Sequence, residues 1–393
     1  MEFELSRLPR LLFGAGTINQ LPGLIQGYGK TVLILTGGRS WATSPWWPAL
    51  TGQLDRLGMD YYRESVNGEP SPEQVDQLVA DYADKAVDVV VAIGGGSAMD
   101  AGKAVAGLLR VGRSVLDYLE GVGPELPYQG PAVPFIALPT TAGTGSEATK
   151  NGVLSRHGSD GFKKSFRSEL LMAREAIIDP DLLATCPPGV IAANGMDALT
   201  QLIESYVSLK QNEFCNTLGE KAIRLVRDGL IRLHESAGED ADARGAMAFA
   251  ALASGINLAQ TGLGSVHGLA SPLGAFFPIP HGVACGALLA EATEVNIRAM
   301  QQREPDNPAL ERYRQVGQML CGSHFPDQQT AFNGLLKRLW HWTEKLQIPT
   351  LAQYGMTVDD IDLIVANVSP SSMQTNPVRL TDDEIAAIVR ARL

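Results

Sequence analysis

At 393 residues the chain is long enough for two or three domains of about 150 residues each. Its 45% hydrophobic and 19% charged residues can fill a large core, while a net charge of −11 argues against nucleic acid or an anionic membrane surface as a partner. The four cysteines lack CxxC spacing, which fits a reducing compartment better than a disulfide framework or a zinc ribbon. The opening MEFELSRLPR has no apolar run of the kind a signal peptide carries, so a cytoplasmic location is expected. The most apolar helical stretch, 247–259, is too short and too polar for a membrane span.

In chain order, short apolar runs at 31–36, 87–93, 133–138 and 176–178 are rich in β-branched residues and end at Gly, Pro or Asp. Runs of this kind suit strands buried on both faces of a parallel sheet flanked by helices. After the second run comes Gly94-Gly95-Gly96-Ser97-Ala98-Met99-Asp100-Ala101-Gly102-Lys103. The glycines let a ligand approach the backbone, Ser97 and Asp100 have capping-box spacing, and the helix start makes an anion site. A tight strand-to-helix turn without a ligand would use the same residues. Pro139 to Glu147, PTTAGTGSE, repeats the arrangement after the third run, with the hydroxyls of Thr140, Thr141, Thr144 and Ser146 as potential donors. Two such loops at carboxyl ends of strands in one sheet converge on the crevice where ligands bind.

Beyond Pro187-Pro188 the β-branched runs stop and helical periodicity takes over. The expected organisation is an α/β dinucleotide-binding domain over 1–186 and an all-α domain over 187–393. In the helix across 194–207, Leu199, Leu202, Ile203, Tyr206 and Val207 define the core face, with Asp197, Gln201 and Glu204 opposite. That polar face is either solvated or a carboxylate and an amide oxygen aimed at one metal. Two of the six histidines, His267 and His281, flank HGLASPLGAFFPIPH, a segment nearly free of charge. Neutral imidazole in such surroundings fits zinc or ferrous iron, although histidines near prolines also serve as core or cap residues.

Together GGGSAMDAGK, PTTAGTGSE, Asp197-x-x-x-Gln201, His267 and the IPHG ending at Gly282 resemble the iron-containing (group III) alcohol dehydrogenases over nearly the whole chain. The resemblance implies an N-terminal domain for a nicotinamide cofactor and a helical domain for one divalent ion. It places the diphosphate on Gly94, Gly95, Gly96 and Ser97, the hydroxyls of the second loop around the nicotinamide ribose, and Lys163 near that ribose. Asp197, His267 and His281 match three family ligands, the two histidines being the implied catalytic pair. Gln201 stands where the family usually has the fourth, a histidine. Ser271 replaces a histidine of many members, and Cys285 a common asparagine. Gln201 as an oxygen donor would favour harder ions such as ferrous iron or manganese over zinc, the metal expected being Fe2+ or Zn2+.

Many NAD-preferring relatives carry an acid at the end of the first long strand. Here Gly37 stands there, with Arg39 and Ser40 close by, so NADP(H) is expected over NAD(H). The expected function is an NAD(P)-dependent alcohol dehydrogenase or aldehyde reductase acting on a small alcohol or aldehyde, as a homodimer. The alternatives are a metal-independent reductase of the same fold, as the maleylacetate reductases are, and a lyase like dehydroquinate synthase. Phe162, Phe166, Phe276, Phe277 and 258–263 are expected to line the substrate pocket, and the basic run 163–167 leaves an acidic substrate open.

Overall fold

A computed structural model describes the chain except residues 1, 2, 39, 40, 42 and 159. Arg39 and Ser40, read above as flanking a 2′-phosphate, therefore lie outside the described residues.

The first half alternates strand and helix: β1 (Arg10–Phe13), α1 (Leu21–Gln26), β2 (Thr31–Gly37), α2 (Trp46–Arg56), β3 (Asp60–Val66), α3 (Pro72–Tyr82), β4 (Val89–Gly94), α4 (Gly96–Leu108) and β5 (Phe135–Pro139). A two-stranded antiparallel hairpin, β6 (Asn151–Arg156) and β7 (Phe162–Arg167), precedes β8 (Glu175–Ile178). Six strands form one parallel sheet in the order β1-β8-β5-β4-β2-β3. Alternate residues of β4 serve opposite faces. Val89, Val91 and Ile93 join the core under α1 and α2, while Val90 and Ala92 join the core shared with α4 and the helical half. All six residues of β4 are buried, so a continuous apolar run is what its position demands.

The chain leaves β2 toward β3 on one side and returns past β2 to β4 on the other, which puts the change of direction between β2 and β4. Thr36 pairs with Ile93 and Gly94 with Pro139, so the carboxyl ends of β2, β4 and β5 stand level at that crevice.

From Pro188 the structure is helical: α5 (Pro188–Val207), α6 (Glu213–Glu235), α7 (Ala241–Thr261), α8 (Ser265–Phe276), α9 (His281–Arg303), α10 (Pro308–Cys321), α11 (Gln328–Lys345) and shorter helices to the C-terminus. Helix α5 lies at the centre, and every residue from Gly195 to Val207 is buried. The face carrying Asp197, Gln201 and Glu204 is thus interior, not solvated. Among the described residues no single helix is long and apolar enough to cross a membrane. The apolar pair α7 and α8 is bent by 101° at its break.

Candidate active site

The two glycine loops meet at the crevice. Thr140 N–H donates to the Gly94 carbonyl at 2.9 Å. A Cβ on Gly95 would sit 3.2 Å from Thr141 Oγ1, and one on Gly96 would sit 2.9 Å from Thr144 Cγ2. Bare backbone is what lets the second loop close over the first. Helix α4 is capped by Gly95 with no side-chain acceptor, so its first N–H groups are open to an anion in the cleft.

The expected capping box is not formed. The helix begins at Gly96, which puts Ser97 inside its first turn and turns Asp100 elsewhere. The Asp100 carboxylate accepts from Ser146 Oγ at 2.8 Å, and Ser146 in turn accepts from Lys103 Nζ at 2.7 Å. Thr149 Oγ1 and the Asn151 carbonyl, each at 2.8 Å, take the remaining ammonium protons of this fully buried lysine. Burial lowers the Lys103 pKa to about 8 against the pull of Asp100 and Glu147, and raises that of Glu147 to about 7. Ser146 and Asp100 therefore tie the second loop to α4 and β6 beneath the cleft, each engaged with the other and with the Lys103 ammonium. Lys103 and Glu147 were not singled out in the sequence, where they looked like ordinary motif ends.

Gly143 and Gly145 serve packing against the helical half. A Cβ at Gly143 would fall 2.5 Å from Asn194 Oδ1 on α5, and one at Gly145 would run into Gly255 of α7. Lys163, half-buried on β7, forms an ion pair with Glu69, which also accepts from Ser155 Oγ at 2.5 Å. Ser271 Oγ donates to the Lys163 carbonyl at 3.2 Å. Phe166 is not a pocket residue: it is fully buried, its ring 5.5 Å from Tyr118 and 5.0 Å from Tyr128.

On the helical side, Asp197, His267, His281 and Cys285 bring one potential ligand atom each within 4.8 Å of one another. Asp197 Oδ1 lies 3.3 Å from His267 Nε2 and 3.7 Å from His281 Nε2. Pro280 leads directly into α9, placing His281 at its first position and Cys285 one turn on, on the same face. Glu204 orients the cluster: one oxygen accepts from Val266 N–H at 2.7 Å at the start of α8, and the other meets His267 Nδ1 at 2.7 Å. A carboxylate on the far ring nitrogen leaves Nε2 as the donor atom. Burial opposes charge on Asp197, but His281 and His267 prevail and hold its carboxyl below the ordinary range. Burial with nearby positive charge lowers the His281 pKa to about 4.

Gln201 differs from expectation. Its Nε2 donates to Asp197 Oδ1 at 3.1 Å, and its Oε1 accepts from Ser254 Oγ at 2.6 Å. The amide oxygen is committed to Ser254, and an N–H group faces the cluster. Asp197 Oδ2 and His281 Nδ1 are buried without a hydrogen-bond partner. A carboxylate with one oxygen unpartnered, two imidazoles and a thiol gathered within 4.8 Å fit a divalent cation.

Residues 9–180 match the family model for iron-containing alcohol dehydrogenase, and residues 191–393 match that for the C-terminal part of the same family. The chain is 39% identical over 327 residues to long-chain-alcohol dehydrogenase 1 of Geobacillus thermodenitrificans, covering 82% of this chain and 79% of that one. It is 29% identical over 393 residues to the NADPH-dependent butanol dehydrogenase of Clostridium saccharobutylicum, covering 97% and 96%. The crystal structure of sulfoacetaldehyde reductase from Bifidobacterium kashiwanohense in complex with NAD+ is similar with a TM-score of 0.85 at 26% identity, over 100% of this chain and 99% of that one.

Proposed function

The chain belongs to the iron-containing alcohol dehydrogenase family, and within it we propose an NADP(H)-preferring reductase of small neutral aldehydes, cytoplasmic and homodimeric. It is an NAD(P)-dependent alcohol oxidoreductase; relatives include NADPH-dependent and NAD-dependent enzymes, so the family alone does not fix the cofactor.

One observation carries the reading. Ser254 Oγ lies 2.6 Å from Gln201 Oε1 and 3.4 Å from the Gly143 carbonyl. Through Gln201 it links the second glycine loop to Asp197, so the cofactor cleft and the His-rich cluster share one wall. The first turn of α4 would take the diphosphate, and Thr140, Thr141 and Thr144 would border the ribose and ring, which holds the nicotinamide in a fixed pose. Asp197, His267 and His281 would hold a divalent ion, whose contribution as a Lewis acid is to stabilise negative charge on the substrate oxygen as hydride leaves or arrives at carbon. Glu204 fixes the His267 tautomer for that task. Ser271 is committed to a backbone carbonyl, so it does not take the place of the relay histidine that many members carry.

Preference for NADP(H) rests on the open end of β2. Gly37 brings no carboxylate, and Arg63 on β3 lies with its guanidinium 5.1 Å from the Trp47 ring and Nε 3.4 Å from Thr36 Oγ1. Arg63 has no carboxylate partner among the described residues, which leaves its charge for a 2′-phosphate. A neutral substrate is favoured because two of the three cations in the basic run on β7 are already matched, Lys163 by Glu69 and Arg167 by Glu120.

The test is consumption of NADPH and NADH with a panel of small aldehydes, before and after chelation and metal add-back. Loss on chelation with recovery on add-back supports the reading. Full turnover without stoichiometric metal would move the chain to the metal-independent reductases.

A further inference from the structure

Taking the metal-assisted reading above as its basis, we propose that Cys285 is the fourth ligand, replacing the residue at position 201, and that the resulting Asp–His–His–Cys centre prefers zinc to manganese or ferrous iron.

The distances carry the first half. Cys285 Sγ lies 3.7 Å from His267 Nε2 and 3.8 Å from His281 Nε2. With Asp197 Oδ1 at 3.3 and 3.7 Å from the same two nitrogens, four donor atoms surround one point. A tetrahedral zinc site with bonds of about 2.0–2.3 Å places neighbouring donors about 3.3–3.6 Å apart. Four of the six donor separations are thus within a few tenths of an ångström of that spacing, and all six are within 4.8 Å. All four side chains are drawn from helices rigidly packed on one another. A Cβ on Gly282 would fall 2.7 Å from the Ala193 carbonyl, and one on Gly286 would fall 2.9 Å from Met196 Cβ. These two glycines let α9 lie close against α5, and that approach brings Cys285, which lies between them, up to Asp197.

Position 201 is engaged elsewhere in this arrangement. It offers an N–H toward Asp197, and its oxygen is held 2.6 Å from Ser254 Oγ. The second half follows from donor chemistry. On binding, the thiol proton passes to solvent and the sulfur coordinates as thiolate. A thiolate is a soft donor that selects zinc over the harder divalent ions, whereas an amide oxygen would have pulled the other way.

The experiment loads the full-length protein with cobalt(II), a spectroscopic substitute for zinc, and records the near-ultraviolet spectrum with cobalt content by elemental analysis. A thiolate-to-cobalt charge-transfer band is expected in the wild type and in Gln201→Ala, and is expected to vanish in Cys285→Ser. In competition, equimolar zinc and manganese should leave zinc in the wild type. Cys285→Ser should lower zinc affinity by more than the roughly 10–100-fold that loss of an outer hydrogen-bond partner costs. Stoichiometric cobalt without the band in the wild type would overturn the proposal while leaving the three-ligand reading of the site intact. A wild type that takes up no cobalt, yet turns over fully after chelation, would overturn both.

Discussion

Gly37 offers the sharpest test of cofactor preference. A Cβ at this position lies 3.7 Å from Gly94 Cα and 4.0 Å from Gly95 N, ordinary contact distances, so Gly37→Asp adds a carboxylate without displacing backbone. The variant carboxylate would stand at the crevice end of β2, where the adenosine ribose is proposed to lie. Both cofactors carry the same diphosphate, so repulsion from that group cancels in their ratio and only the 2′-substituent separates them. Two unit charges about 6 Å apart repel by about 0.7–2.8 kcal/mol as the effective dielectric falls from about 80 to about 20. A 2′-phosphate carries about −1.5 to −2. In NAD(H) the free hydroxyl instead donates to the new carboxylate, a charged hydrogen bond of about 1.5–3 kcal/mol. Together these terms come to about 2.5 kcal/mol or more, so the NADPH/NADH ratio of kcat/KM should fall by about two orders of magnitude at least. The assay is steady-state kinetics with both cofactors and one aldehyde, at low and high salt, since the repulsive part weakens under screening. An unchanged ratio would refute the placement of the 2′-phosphate at the end of β2.

How far the fold was legible depended on burial. β2, β4, β5 and β8 stand out in the sequence because helices cover both faces of the sheet there, and apolar side chains are required in succession. β3 reads DYYRESV, since it is an edge strand paired only with β2 and half-exposed along most of its length. The hairpin of β6 and β7 carries Lys and Arg because its two strands stand outside the main sheet. β5 starts at Phe135, later than its apolar run implies, because Pro134 has no N–H to give a neighbour.

The site was legible where one residue type does one job. Asp197, His267 and His281 converge as their spacing and family resemblance implied. The rest depended on which way a side chain turns, and a spacing does not encode that. Gln201 sits one turn from Asp197, as a ligand would, yet Ser254 from another helix claims its oxygen. Cys285 read as a departure from pattern, although its position one turn after His281 was a signal that the two share a face. Glu204 showed only as part of a polar face; that it caps α8 and orients His267 depends on the fold. The second glycine loop was read wholly as a ligand cradle. Both of its glycines answer instead to close packing against α5 and α7, a demand from the other half of the chain.

Four further outcomes follow from the same geometry. Gly95→Val should weaken NADPH binding in fluorescence titration without unfolding the helical half, because its side chain meets Thr141 and crowds the diphosphate; unaltered affinity would place the diphosphate elsewhere. His267→Ala should abolish bound metal by elemental analysis and cut kcat by several orders of magnitude while NADPH still binds. Glu204→Gln should cost about 10–100-fold in metal affinity, a loss that Gln201→Ala need not share, as it leaves the His267 tautomer alone. Glu147→Gln should change how stability depends on pH. Glu147 is 3% exposed, and burial raises its pKa to about 7 from the ordinary 4.5. A raised pKa means that the folded protein binds the proton more tightly than the unfolded chain does. This contribution to stability is complete below about pH 4.5 and is lost as pH rises through about 7. At about 1.4 kcal/mol per unit, the loss is on the order of 3 kcal/mol by pH 7.5. Glutamine stays neutral throughout, so urea midpoints of the two proteins should nearly coincide near pH 5 and diverge in favour of the variant toward pH 7.5. Lys103 titrates at about 8 and its deprotonation acts in the opposite sense above that pH, so the lower window isolates the carboxyl. Parallel curves across that window would show that Glu147 is already ionised in the fold, balanced by the Lys103 ammonium.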